Sequence, residues 1–130
     1  YWDKRGLESV HMRILSCAQV TSARALGTWL SYDDLIQLTK RCIDTPVTGF
    51  AVVYGVSNND RAAVDNSKAS FLGFRPKDNA EQFAEKILAE TDILDSQDPG
   101  HMCHGGPFAK VDLGESGLAT MTIIDDKKVI

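Results

Sequence analysis

The groups able to do chemistry in this sequence are three tyrosines, three histidines, three cysteines and a few isolated charges, and their spacing excludes more than it offers. A tyrosine acting as acid and base needs a lysine one helical turn later, at i+4, whose charge lowers the phenol pKa. The residues four positions after Tyr1, Tyr32 and Tyr54 are Arg5, Ile36 and Asn58, so no such pair exists. Ser16 and Ser31 lack the G-x-S-x-G elbow of a nucleophilic serine. A pyrophosphate site needs a glycine-rich turn straight after a strand, so that backbone amides can approach the phosphates. Neither G-x-G-x-x-G nor G-x-x-x-x-G-K occurs, and Gly114-Glu115-Ser116-Gly117 carries a glutamate that would repel phosphate. His101-Met102-Cys103-His104 is the one local cluster of soft ligands, but adjacent residues rarely converge on one metal and no second cluster completes a tetrahedral set. No metal is expected. Asp33 and Asp34 are adjacent, do not face each other on a helix, and are explained by helix-start electrostatics. Arg24 stands apart as a lone cation in a loop just beyond a strand. Ligands of open α/β sheets bind there and guanidinium grips carboxylate in a bidentate fashion, although a loop arginine is more often simply solvated.

The elements that must position these groups can be read in order. Tyr1–Gly6 reads as the last turn of a helix with Gly6 as its C-cap. Val10–Leu15 alternates apolar and polar residues as a strand does, and Ser16–Thr28 reads as a loop. Ser31 is a good N-cap for a helix whose apolar positions are Leu35, Leu38, Cys42 and Ile43, closed by Pro46. Phe50–Val56 is nearly continuous apolar sequence, the pattern of a strand buried on both faces. A short helix is expected over Asn66–Leu72, ending at Gly73. Asp78 and Glu81 form a capping box for a helix with Ala80, Phe83, Ala84, Ile87 and Leu88 on one face. Asp95–Gly106 reads as loop, and Leu118–Ile130 as a hairpin turning at Asp125-Asp126. The alternation of strand and helix means α/β, yet two strands cannot make a complete parallel sheet.

Composition narrows the class. With 130 residues, 43% of them hydrophobic, the chain fits one domain with a modest core. A net charge of −4 argues against a nucleic-acid binder. No apolar run of membrane-spanning length occurs, and Tyr1–Gly6 lacks the features of a signal peptide. Cys17, Cys42 and Cys103, odd in number and widely spaced, suit the cytoplasm. The missing initiator methionine suggests a piece of something longer.

Ser16-Cys17, followed after six residues by Arg24-Ala-Leu-Gly-Thr-Trp-Leu-Ser-Tyr-Asp-Asp34, resembles the substrate loop and following helix of bacterial uronate dehydrogenases. Val52–Asp60, Asp65-Asn66-Ser67 and Phe71–Glu81 continue the resemblance, and Tyr1–Gly6 is similar to the end of that family's catalytic helix. The match runs from Tyr1 to about Phe108. It departs in three places: the loop between Ser16 and Arg24 is one residue shorter, Ala63 and Val64 stand where the family tends to carry large aromatics, and Gly114–Ile130 matches nothing in the family.

The resemblance implies the C-terminal portion of a Rossmann-like short-chain dehydrogenase fold, of the epimerase/dehydratase superfamily, whose sheet is incomplete without its N-terminal half. Residues 1–108 are then the substrate-side part and residues 109–130 a divergent tail. It implies a parent oxidoreductase that takes a uronic acid to its aldarolactone with NAD. Arg24 grips the substrate carboxylate, Ser16 bonds the sugar, and Ile14 and Cys17 lie near the nicotinamide. No catalytic residue is assigned, and the chain alone is expected neither to bind NAD nor to turn over. Two alternatives stay open: a non-catalytic α/β interaction or dimerisation module, and a relative of the sugar-nucleotide epimerases. The expected macromolecular partner is a second copy or the missing N-terminal half.

Overall fold

The computed structural model describes residues 1–91, 98–103 and 105–114. It forms two compact units, Tyr1–Thr91 and Asp92–Ile130. In the first unit, helix α1 (Trp2–Arg5) ends at Gly6, whose φ of 65° is the left-handed conformation glycine adopts without cost. Strand β1 (Ser9–Ile14) follows, then helices α2 (Ala25–Thr28) and α3 (Tyr32–Asp44), then strand β2 (Phe50–Gly55). The two strands pair in parallel, with Ser9 opposite Phe50 and Ile14 opposite Gly55. Parallel pairing demands a crossover, which the α2–α3 segment supplies. A 3-10 turn (Ser67–Leu72) ends at left-handed Gly73, followed by a second (Ala80–Phe83) that runs into α4 (Ala84–Ala89). This is the α/β arrangement expected.

Leu38 of α3, Val53 of β2 and Ala69, Leu72 and Phe74 form one core cluster, with Val10 and Cys42 packed against it. Leu26, Ala80, Ala84 and Ile87 form another, joined by Val20 and Trp29. Trp29 meets Phe83 edge to face, ring centroids 5.5 Å apart. Such burial is the main force holding the unit together.

Several expectations need correcting. β2 is covered on one face only: Ala51, Val53 and Gly55 are buried, whereas Phe50 is 61% exposed and Val52 and Tyr54 are half-buried. The open face also carries exposed His11 and Arg13, with His11 against Phe50 and the Arg13 guanidinium over the Tyr54 ring. Ile43 fits the helical period but is 76% exposed, since it lies in the last turn of α3, outside the cluster around Leu38. Ser16–Thr28 is not all loop, for it contains α2. The capping box is absent: Asn79 caps the Ala80–Phe83 turn, its Oδ1 accepting from Glu81 N at 2.9 Å. Asp78 instead accepts the Ser31 hydroxyl, and Glu81 holds Arg61 through two bonds of 2.7 and 2.8 Å.

The second unit contains α5 (Pro99–Met102), capped by Asp98 Oδ1 accepting from Gly100 N at 2.7 Å, and a 3-10 turn over Gly106–Lys110. Helical structure thus begins where only loop was expected. The expected hairpin over Leu118–Ile130 lies outside the described residues. Among those described, no helix is long and apolar enough to cross a membrane.

Asp34 has a larger part than its neighbour. Asp33 is exposed in the first turn, but Asp34 is 2% exposed. Its carboxylate accepts from Lys77 N (2.9 Å), Asp78 N (3.1 Å) and Ser57 Oγ (2.7 Å), while its own N–H donates to Ser31 Oγ at 3.1 Å. Ser57 Oγ in turn accepts from Ser31 N at 3.0 Å. The start of α3, the turn after β2 and the 75–80 segment therefore meet on one carboxylate. Replacing an acceptor oxygen by an amide leaves a buried N–H or O–H facing a donor. Asp34→Asn is expected to lower unfolding free energy by about 1–3 kcal/mol in urea titration, whereas Asp33→Asn stays within about 0.5 kcal/mol.

Candidate functional site

β1 delivers its C-terminal end at Ile14, and the chain continues into Ser16, which forms an isolated parallel bridge with Trp29. Leu30 N donates to Ser16 O at 2.7 Å and fixes that bridge. Between the two, Arg24 occupies the N-cap of α2 in helical conformation (φ −60°, ψ −40°). Its carbonyl accepts from Gly27 N at 3.1 Å and from Thr28 Oγ1 at 3.3 Å. Ala25, Leu26 and Thr28 bury α2 against the body of the unit. Gly27 packs against the Arg61 carbonyl so closely that a Cβ there would lie 2.5 Å from the oxygen. The structure thus places Ser16 and Arg24 on one braced stretch beyond the C-terminal end of β1, where open α/β sheets bind ligands.

Arg24 is half-buried, and burial lowers its guanidinium pKa from the usual value. The group still stays charged, because a guanidinium does not deprotonate in proteins. A partly desolvated permanent cation at a strand end suits a carboxylate, whose two oxygens match the guanidinium fork. Ile14 is 44% exposed and lies across the backbone of Gly55, where a Cβ would come within 2.9 Å of Ile14 Cγ1. Cys17 is half-buried beside Ser16.

These four residues do not line the open pocket of about 500 Å³ that lies beyond β2, whose walls include Val56, Asn58, Val64, Asp65, Phe74 and Arg75. The sequence reading also missed Ser57 and Asn59, buried polar residues whose bonds to Trp29 O brace the Ser16–Trp29 bridge. The signal was available in Val56-Ser57-Asn58-Asn59-Asp60, a polar block straight after an apolar strand. Neither strand leads into a glycine-rich turn: β1 runs into Leu15-Ser16-Cys17 and β2 into Val56-Ser57-Asn58. The described residues therefore offer no cradle for a dinucleotide pyrophosphate.

No protein-family profile matches the chain. It is 43% identical over 110 residues to the uronate dehydrogenase of Pseudomonas putida, covering 84% of this chain and 41% of that one. The crystal structure of glucuronic acid dehydrogenase from Chromohalobacter salexigens superposes with a TM-score of 0.82 at 38% identity, over 86% of this chain and 42% of that one. A mutant of the Agrobacterium tumefaciens uronate dehydrogenase, complexed with NAD, gives a TM-score of 0.82 at 39% identity over 89% and 44% of the two chains. The chain is homologous to the uronate dehydrogenases. It spans about two-fifths of the length of the curated relatives it matches. The resemblance read from Ser16–Glu81 is thereby upheld, and the two-stranded parallel sheet of the described residues matches part of the Rossmann-like fold of these uronate dehydrogenase structures.

Burial raises the thiol pKa of Cys17. A raised pKa leaves less thiolate at any given pH, so alkylation should be slow there. With iodoacetamide at pH 8, mass spectrometry should find exposed Cys103 modified well before Cys17, with the Cys17 rate climbing only above the ordinary thiol range.

Proposed function

We propose that this chain is the substrate-side, C-terminal part of an NAD-dependent oxidoreductase acting on uronic acids, converting a uronate to its aldarolactone. The observation that carries this reading is the placement of Arg24 and Ser16 on one braced stretch at the C-terminal end of β1. The homology to uronate dehydrogenases supports it. In this reading the Arg24 guanidinium holds the sugar carboxylate by paired N–H bonds, which fixes the far end of the substrate. Ser16 bonds a sugar hydroxyl. Ile14 and Cys17 flank the nicotinamide, Ile14 as a dry apolar surface that keeps water from the reacting carbon. NAD, its pyrophosphate held by groups outside this chain, would supply the hydride acceptor of the oxidation.

The glycine-rich cofactor loop and the Tyr-x-x-x-Lys pair belong, on this account, to an N-terminal half. Its docking would cover the face of the sheet that carries exposed Phe50, His11 and Arg13 and half-buried Tyr54. The same open face favours a second reading, a non-catalytic module that dimerises through it. Two measurements on the isolated chain decide. With galacturonate and NAD, absorbance of NADH should not rise and NAD should show no saturable binding; turnover would overturn the assignment of the catalytic groups to another segment. Sedimentation distinguishes the module, which requires a stable dimer, from the substrate-side part, which does not.

A further inference from the structure

Asn59 is 7% exposed, and both ends of its amide are committed. Nδ2 donates to Trp29 O at 2.8 Å, and Oδ1 accepts from Ala80 N at 2.9 Å. The Trp29 carbonyl receives a further bond from Ser57 N at 2.9 Å. Trp29 is the point at which the two halves of the candidate site meet. It pairs with Ser16 in the isolated bridge, and its own N–H closes α2 onto Ala25 O at 3.0 Å, one residue after Arg24. Ala80, the other partner of Asn59, packs with Leu26 of α2. A single side chain thus reaches α2 from two directions, through the carbonyl at its C-terminal end and through the turn packed on its buried face.

We infer that Asn59 is a positioning residue for the carboxylate half-site, holding Ser16 and Arg24 in fixed relation through Trp29 and Ala80. The inference rests on the reading of Arg24 as the carboxylate ligand. An amide serves here because the site uses one donor and one acceptor on a side chain of this length. Aspartate keeps the acceptor for Ala80 N but sets a carboxylate oxygen against the Trp29 carbonyl, cutting one bond and adding repulsion. A displacement of well under an ångström at Trp29 would be carried to both ligand groups, and a bidentate contact does not tolerate misalignment.

The test is titration of the isotope-labelled 130-residue chain with galacturonate, followed by NMR. In the unsubstituted protein, the Arg24 Nε–H, the Asn59 side-chain NH2 and the Trp29 and Leu30 amides should shift together with one affinity. A response at Arg24 with none at Asn59, Trp29 or Leu30 would overturn the inference without recourse to any variant. Asn59→Asp should weaken galacturonate binding about tenfold. Glu81→Gln, which cuts the Arg61 pair away from Trp29, serves as the control and should stay within about twofold. Binding by Asn59→Asp equal to that of the parent would also overturn the inference. Undiminished binding by Arg24→Gln, or equal binding of neutral galactose, would overturn the half-site reading itself, and the Asn59 assignment with it.

Discussion

The carboxylate of Asp34 is the contact on which the first unit is built. Three stretches far apart in sequence converge on it: the N-terminus of α3, Ser57 after β2, and the backbone amides of Lys77 and Asp78. Its burial is tolerable because its oxygens accept one O–H and two N–H groups, all within 3.1 Å. Without them the end of β2 and the 75–80 segment would have no common anchor. Ser31 completes the arrangement, capping α3 with the oxygen that also donates to Asp78.

From Asp34 a chain of bracing runs to the candidate site. Ser57, fixed by Asp34, sends its N–H to the Trp29 carbonyl, and Asn59 adds a second bond to the same oxygen. Trp29 holds Ser16, and α2 holds Arg24. Side-chain amides do similar work elsewhere. Asn66 gives Tyr54 both of its backbone bonds, at 2.7 and 2.9 Å, and so occupies the edge of β2 turned away from β1. Gln37 does the same for Arg75 at 2.7 and 2.8 Å. A sheet of two strands is a weak platform by itself. Asn66 thus stands where a further strand partner of β2 would, a partner that the described residues do not provide.

Much of this was legible in the sequence, and the boundary lies at the range of the interaction. Gly6, Gly73 and the Ser31 cap were readable because each obeys a rule acting within a few residues. The place of Asp34 was not, since its partners lie 23, 43 and 44 residues away and helix-start electrostatics already accounts for an acid there. The capping box at Asp78 failed for the same reason: a tertiary partner, Ser31, engages the side chain that a local rule assigned to the helix. The apolar run at β2 was read as two-sided burial because composition records how much a strand can bury, not which faces this chain covers. Arg24 could be singled out as a cation beyond a strand, and its carboxylate-binding role is what the family resemblance implies. The bracing of Arg24 by Gly27, Trp29 and Asn59 required the fold.

We propose that the stretch from Ser16 to Arg24 is a carboxylate half-site. A crystal structure of this chain with galacturonate tests it most directly. The carboxylate is expected in paired hydrogen bonds with the Arg24 guanidinium, with a sugar hydroxyl within reach of Ser16. Galacturonate seated instead in the pocket walled by Asn58 and Arg75, with Arg24 untouched, would contradict it.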